Sequence, residues 1–341
     1  MTATQRSGRG PAMTDVARLA GVSHQTVSRV LNGHPSVREE TRGRVRAAIA
    51  ELGYRPNRAA RALATGRSQT LGVVSLHSTL FGPASMLAAV AQTAAGAGFA
   101  VSVDSVATLD RPSITRSVER LLDHGVAGVV LIAPVDSATE ALDDLDVDVP
   151  LVTLDGDPER PGGQVTVDQV AGGRMATEHL LQAGHGTVWH VAGPEHWFDS
   201  EGRIEGWRAA LAAAGAEEPP LLRARDWSAA SGYEAGLLVG RMPEVSAVFA
   251  ANDHVALGLL RALAERGRRV PEDVSVVGFD DVPEAAYLIP PLTTVRPDFD
   301  AVAQAGLAVL LEALESGVPT QGTRTIAPRL VPRASVAPPA S

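Results

Sequence analysis

A polar stretch near the start of the chain, SHQTVSRVLNG at residues 23–33, carries side chains suited to contact DNA. Gln25 can pair bidentately with adenine and Arg29 with guanine in the major groove, while Ser and Thr hydroxyls reach phosphates. The apolar residues Val27, Val30 and Leu31 recur at helical spacing. The pattern therefore predicts a helix that buries those residues and presents His24, Gln25, Thr26, Ser28 and Arg29 outward.

A second set of polar side chains follows apolar runs later in the chain. Asp155 ends VPLVTLD, Asn252 falls near the end of SAVFAAND, and Asp280 falls near the end of VSVVGFDD. Carboxylate and amide groups can hydrogen-bond the hydroxyls of a sugar, and Trp227 in RDWSAASG can pack on the apolar face of a pyranose. Taken one at a time, simpler roles are favoured, because Asp and Asn after strands often cap the next helix and Trp usually fills a core.

The DNA-contacting residues need a helix-turn-helix to position them. In MTDVARLAGVSHQTVSRVLNG, Thr14 or Asp15 can cap a first helix, Gly21 can end it, and Ser23 can cap the second. A third helix is predicted in REETRGRVRAAIAELG, burying Val45, Ile49 and Leu52. The alternative is a small helical bundle with a solvated polar face, but turn residues, charge and spacing together favour the helix-turn-helix.

An α/β body is needed to bring together the polar residues that follow the apolar runs. From Leu71 onward, apolar runs such as LGVVSL and VAGVVLIAP alternate with amphipathic segments of 10 to 15 residues, typical of α/β units with parallel sheets. Ligands of such sheets bind beyond the carboxyl ends of the strands. The predicted fold class is therefore α/β, with a helix-turn-helix head in front of a ligand-binding body.

Charge and composition narrow the class of protein. The 341 residues carry a net charge of -9, but residues 1–67 hold twelve Arg against four acidic residues, a net of +8. A basic head on an acidic body indicates that the head meets phosphate.

The absence of Cys, of a secretory signal and of an apolar run near 18 residues predicts a cytoplasmic location and no membrane contact. G-x-S-x-G, H-E-x-x-H, Walker and dinucleotide motifs are missing, so we expect a non-enzyme without cofactor or metal.

The segments DVARLAGVSHQTVSRVLNG and TRGRVRAAIAELGYRPNRAARALATGRS resemble the head and hinge of the LacI/GalR repressor family, and the resemblance continues to about residue 336. It implies a tail at 1–12, a DNA-binding domain at 13–56, a hinge helix and linker at 57–68, a body at 69–337 and a tail at 338–341. The body would resemble periplasmic binding proteins, with two subdomains joined by three crossings near residues 166, 296 and 326.

The resemblance also implies roles in DNA binding. His24, Gln25 and Arg29 would contact bases, while Ser23, Thr26, Ser28 and Asn32 would position the backbone. The hinge, PNRAARALAT, would form a helix on operator DNA and insert Leu63 into the minor groove, flanked by Asn57 and Arg58 on phosphates. The alternative for Leu63 is packing against the body.

The resemblance further implies a cleft for a small effector. Its residues would be Leu80, Pro83, Met86, Asp155, Arg203, Trp227, Asn252, Asp280 and Phe299. Pro297 stands where a sugar-responsive member has Gln, and Trp197, Phe198 and Asp199 replace small hydroxylated residues, which predicts a bulkier or differently linked glycoside.

These features predict a dimeric repressor on a pseudo-palindromic operator, released by a sugar inducer. No leucine-heptad helix follows RASVAPPAS, which favours a dimer over a tetramer. Two alternatives are a repressor that requires a purine corepressor and a sugar-binding transport protein. The second is disfavoured by the missing export signal and by the head.

Overall fold

The computed structural model describes residues 11–31, 34–54, 68–77, 79–143, 147–160 and 162–339. The chain divides into two units, a head that ends at Ser68 and a body that begins at Gln69. The expected hinge residues Asn57, Arg58 and Leu63 lie outside the described residues, as do Asn32 and most of the expected N-terminal tail.

The described residues of the head form three helices: α1 (Met13–Ala20), α2 (His24–Leu31) and α3 (Glu39–Leu52). Helix α1 begins after Ala12, whose backbone N–H donates to Asp15 Oδ2 at 3.0 Å, so Asp15 acts from the first turn and is not the N-cap. Gly21 ends α1 with φ +63°, which glycine adopts without steric cost. Ser23 caps α2 as predicted, since its Oγ accepts from Thr26 N–H at 3.1 Å.

One apolar core joins the three helices of the head. Val16, Val27 and Val45, one from each helix, are completely buried together. Ile49 and Leu52 pack against this core but remain partly exposed. Burying one apolar stripe per helix leaves the opposite face of α2 in solvent.

The body contains two six-stranded sheets, one in each subdomain. The N-terminal subdomain has strand order β11-β5-β4-β3-β1-β2, and every pairing in it is parallel. Its central strands are buried on both faces because helices cover both sides of the sheet. Its elements are β1 (Thr70–Leu76), α4 (Phe81–Gly96), β2 (Ala100–Val106), α5 (Arg111–Asp123), β3 (Gly128–Ile132), α6 (Ser137–Asp143), β4 (Leu151–Leu154), β5 (Gln164–Val167), α11 (Phe299–Ser316) and β11 (Thr323–Ile326).

The C-terminal subdomain has strand order β12-β10-β9-β8-β6-β7. Strand β12 pairs antiparallel with β10, and this edge strand is the exception to the predicted parallel sheets. The elements are α7 (Gln169–Gln182), β6 (Trp189–Ala192), α8 (Phe198–Ala214), β7 (Leu222–Arg223), α9 (Ala229–Val239), β8 (Ala247–Ala250), α10 (Asp253–Glu265), β9 (Ser275–Phe279), a 3₁₀ turn (Pro283–Tyr287), β10 (Thr293–Arg296) and β12 (Arg329–Val331).

The chain passes between the subdomains three times. The crossings follow β5, β10 and β11, close to the predicted positions near residues 166, 296 and 326. Residues that follow strands of both sheets can therefore meet between the subdomains, where parallel α/β sheets bind ligands.

Candidate DNA-contacting face and effector cleft

The predicted recognition residues in the described part of the head lie on α2 and at its N-cap. Ser23, His24, Gln25 and Arg29 are exposed, while Val27 and Val30 on the opposite face are buried. Thr26 and Ser28 are half-buried at the edge of the exposed face. The Ser23 hydroxyl already serves as the helix cap and also contacts Thr26 Oγ1 at 2.9 Å. The structure thus presents a polar helix face whose donors and acceptors suit a DNA groove.

The cleft between the subdomains contains a cavity of about 20 Å³, which has room for roughly one water molecule. Seven of the nine predicted effector residues line this cavity: Leu80, Pro83, Arg203, Trp227, Asn252, Asp280 and Phe299. Six residues outside the predicted effector set complete the lining: Phe81, Gly82, Gln169, Trp197, Asp199 and Pro297.

Met86 and Asp155 are the two predicted effector residues that do not line the cavity. Met86 lies on α4 and is fully buried in the core of the N-terminal subdomain. Asp155 follows β4, is 6% exposed and accepts a hydrogen bond from Val167 N–H at 3.3 Å. Asp155 nevertheless lies within electrostatic reach of the cleft, because Asp199 raises its pKa and Arg203 lowers it.

Arg203 is the only cation that lines the cleft among the described residues. Its Nε donates to Gln169 Oε1 at 3.0 Å and its Nη1 to the Ala251 carbonyl at 2.7 Å. Its guanidinium carbon lies 3.7 Å from the centre of the Phe279 ring, so the group is stacked as well as hydrogen-bonded. These contacts fix the guanidinium plane before any ligand arrives, which reduces the entropy lost on binding.

Two carboxylates share the remaining terminal nitrogen of Arg203. Asp199 Oδ2 lies 3.6 Å and Asp280 Oδ1 3.7 Å from Nη2. Both distances exceed those of a good charge-assisted hydrogen bond, so these acceptor groups retain capacity for a ligand. Asp199 is also held by Gln169 Nε2 at 3.0 Å.

The acidic side chains around Arg203 resist ionisation. Burial, reinforced by the neighbouring Asp199 carboxylate, raises the pKa of Asp155 to about 8. Burial also raises the pKa of Asp280 to about 7, against the opposing effect of Arg203. Burial raises the pKa of Asp199 as well. Near neutral pH the group therefore includes protonated carboxyls, which can donate hydrogen bonds as well as accept them.

Trp227 and Trp197 form an aromatic corner of the cleft. Their rings meet edge to face, with centroids 5.5 Å apart and an interplanar angle of 78°. Trp227 is 6% exposed, and its buried indole Nε1 has no hydrogen-bond partner among the residues that the structure describes. A buried donor of this kind is costly unless a ligand or water satisfies it.

Asn252 combines the two roles that the sequence left open. Its Oδ1 accepts from Val255 N–H at 2.8 Å and so caps α10, while its Nδ2 contacts the Trp227 carbonyl at 3.4 Å. Capping fixes the amide beside the cavity that it lines.

Backbone strain lies beside the cleft. Asp155, Asp280 and Asp281 follow β4 and β9 with φ values of +52°, +101° and +51°. Such conformations cost non-glycine residues roughly 1–3 kcal/mol each and are found preferentially at binding sites. Asp281 does not line the cavity; its carboxylate pairs with Arg296 and Arg333 and braces the crossing after β10.

Sequence reasoning missed Gln169 entirely, and it singled out Trp197 and Asp199 only as departures from the family pattern. Gln169 follows the first crossing without any distinctive motif. Within the described residues, no group of three His, Cys, Asp or Glu side chains is placed to hold a metal ion. No helix in that part of the chain is long and apolar enough to cross a membrane.

A helix-turn-helix head joined to a two-sheet body with a polar, aromatic-walled cleft defines a DNA-binding regulator of the ligand-responsive class. Comparison with known proteins agrees. Residues 12–57 match the family model of bacterial regulatory proteins of the lacI family, and residues 177–336 match a periplasmic binding protein-like domain.

Individual relatives cover nearly the whole chain. The lactose operon repressor of Escherichia coli (strain K12) is 36% identical over 323 residues, which is 94% of this chain and 89% of that protein. The HTH-type transcriptional regulator CelR of Thermobifida fusca is 37% identical over 333 residues, 93% of this chain and 96% of that protein. A crystal structure of the Lac repressor dimer bound to operator and the anti-inducer ONPF superimposes with a TM-score of 0.85 and 34% identity, covering 96% of this chain and 100% of the other. The chain therefore belongs to the LacI family of bacterial regulatory proteins and is a transcriptional repressor of that family.

Proposed function

We propose that this repressor binds a pseudo-palindromic operator as a dimer and releases it when a glycoside occupies the cleft. The observation that carries the sugar assignment is the meeting of Arg203, Asn252 and Asp280 with two indole rings around one cavity. Proteins bind sugars with planar hydrogen-bonding groups around the ring edge and an aromatic side chain against an apolar face.

Three properties of the cleft suit a neutral, polyhydroxylated ligand. The guanidinium supplies fixed donors, the carboxylates supply acceptors 3.6 and 3.7 Å from it, and the unpartnered Trp227 Nε1 offers a further donor. A ring with several hydroxyls can satisfy all of these groups at once. The CelR structure that resembles this chain, with a TM-score of 0.70, is a complex with cellobiose.

The proposal for the head rests on α2. Gln25 and Arg29 are exposed on the face opposite Val27 and Val30, as insertion in a major groove requires. We assign base contacts to His24, Gln25 and Arg29, and backbone contacts to Ser23, Thr26 and Ser28.

The proposal of a dimer is supported by exposed apolar side chains in the C-terminal subdomain. Leu238 and Leu257 are 51% and 42% exposed, and Tyr287 and Ile289 are 84% and 95% exposed. Exposed apolar side chains mark a protein interface where they form one contiguous patch. A symmetric dimer would present one head to each half-site of an operator.

A gel-shift titration tests the proposal. The purified protein is bound to DNA upstream of its own and neighbouring genes and titrated with galactosides, glucosides including cellobiose, and purine bases. Release by a glycoside is the expected result, and it names the ligand class. Tighter binding with a purine would instead assign a corepressor mechanism and remove the sugar role of Trp227.

A further inference from the structure

A short contact between the two subdomains borders the effector cleft, separate from the three crossings. We call it the clasp: residues 134–136, which follow β3, lie antiparallel to residues 196–198, which follow β6. Val135 pairs with Trp197 in an isolated β-bridge. The Asp136 N–H donates to the His196 carbonyl at 3.2 Å, and the Phe198 N–H donates to the Pro134 carbonyl at 3.0 Å.

The clasp has a side-chain component as well. His196 Nδ1 lies 2.8 Å from Asp136 Oδ2, but the two side chains are 75% and 53% exposed. Pairs at that exposure contribute little, because solvent screens them. The two backbone hydrogen bonds are therefore the main part of the contact.

One residue of the clasp, Trp197, also forms part of the wall of the effector cleft. Trp197 lies at the centre of the second strand of the clasp, lines the cavity and meets Trp227 edge to face. The residue before it, His196, has φ +67°, a conformation that non-glycine residues adopt at a cost. The strained loop and the two hydrogen bonds thus fix where the Trp197 ring lies relative to the opposite subdomain.

We propose that the clasp is the gate of the effector cleft: closing it positions Trp197 against Trp227, and opening it admits and releases the effector. This inference rests on the proposed function for the identity of the effector. The geometry points to a gate because a cavity of about 20 Å³ is too small for a sugar, so the subdomains must separate for one to enter, and the clasp is a contact between them that includes the cavity-lining Trp197. His196, Asp136 and Phe198 are positioning residues, since they act on the ligand through Trp197.

One pair of variants isolates a clasp hydrogen bond. Phe198 is the first residue of α8, where proline is well tolerated, and Trp197 before it has φ -110° and ψ 121°, which proline also permits. Phe198→Pro therefore removes the N–H that donates to Pro134, while Phe198→Ala removes the same ring and keeps that N–H. Cellobiose and the galactoside ONPG serve as probes. Their binding and release are monitored by stopped-flow tryptophan fluorescence.

We expect the probe to dissociate about two- to tenfold faster from Phe198→Pro than from Phe198→Ala, the factor for one backbone hydrogen bond. The probe should also associate faster with Phe198→Pro, because the same hydrogen bond holds the clasp closed before the probe enters. A merely structural role would lower the fraction of active protein without separating the dissociation rates. Equal dissociation rates in two folded variants would overturn the gate.

A reversible lock gives a second measurement that does not depend on the proline variant. The chain has no cysteine, and Asp136 lies opposite His196 in the antiparallel contact, a placement compatible with a disulfide. In Asp136→Cys/His196→Cys, oxidation should slow probe exchange by about tenfold or more and reduction should restore it, because the bond holds the clasp shut. Unchanged exchange after complete oxidation would overturn the gate.

The same double variant tests the gate even if neither probe binds to the cleft. Acrylamide quenching of the cleft tryptophans should fall on oxidation, because quencher enters by the route that the effector uses. Failure of wild-type protein to bind any glycoside would refute the sugar assignment, whereas unchanged quenching would refute the gate. The two failures are thus distinguishable.

Discussion

Gly193 is a position where one added methyl group is expected to disable the effector cleft. It follows β6, and a Cβ built there would lie 2.4, 2.6 and 2.9 Å from three atoms of the Trp227 benzo ring. Carbon atoms in contact lie about 3.5–4.0 Å apart, so the indole must move by about 1 Å. Gly193 does not have a positive φ, so Gly193→Ala adds steric overlap without backbone strain.

The magnitude follows from the lack of space around the ring. The adjoining cavity is about 20 Å³, so the displaced indole either fills it or pushes Trp197 aside. Overpacking of this kind costs roughly 1–3 kcal/mol. If that cost falls on the ligand-bound state, the effector Kd rises about 5- to 150-fold. The head is untouched, and operator affinity without effector should stay within experimental error.

The assay is isothermal titration with the glycoside that releases operator, beside an operator titration of the same preparations. Gly186→Ala is the matched control, because a Cβ there meets nothing within 4 Å. A second comparison uses Trp227→Phe, which lacks the outer atoms of the benzo ring. The loss of stability caused by Gly193→Ala should shrink in that background, and strictly additive effects would refute the steric argument.

Three further predictions concern the head and the buried carboxylates. Arg29→Ala should weaken specific operator binding about 5- to 150-fold in a gel shift, the range for one bidentate base contact, while effector affinity stays unchanged. Arg46→Ala, on the exposed face of α3, is the control; equal losses would deny Arg29 a base-reading role. Asp280→Ala should leave operator binding intact but abolish release by effector, because the acceptor beside Arg203 is lost; a normal response in the gel shift would show that Asp280 is not an effector ligand. Asp155→Asn should raise the melting temperature more at pH 9 than at pH 5. The folded-state pKa of Asp155 is raised to about 8 from an ordinary value of 3.8, so the native protein loses stability relative to the unfolded chain as pH rises between those values. A variant whose melting temperature differs from wild type equally at both pH values would contradict this reasoning.

The aspartates after strands show how one residue type serves several purposes in this fold. Asp281 braces a crossing through Arg296 and Arg333, whereas Asp280 beside it faces the cavity. Adjacent residues thus have different tasks, and both positions have a positive φ. The sequence of the dipeptide Asp280-Asp281 gives no sign that the two side chains have different roles.

Local chemistry was sufficient to predict the head. Gly21, Ser23 and the helical spacing of Val27 and Val30 specify where α1 ends, where α2 begins and which face of α2 is buried. Each of these signals acts within one or two helical turns. The alternation of apolar runs with amphipathic segments likewise predicted the α/β body, because strands and helices bury apolar residues with different periods.

The cleft depended on contacts that local chemistry does not encode. Arg203 meets Gln169 and Ala251, which are 34 and 48 residues away along the chain, and Trp197 meets Trp227 across 30 residues. Met86 belongs to the core and Gln169 to the cavity because the packing of two separate sheets orients them, not because of any motif around them. Sequence specifies which groups are available at the strand ends; only the docking of one subdomain on the other specifies which of them face the same ligand.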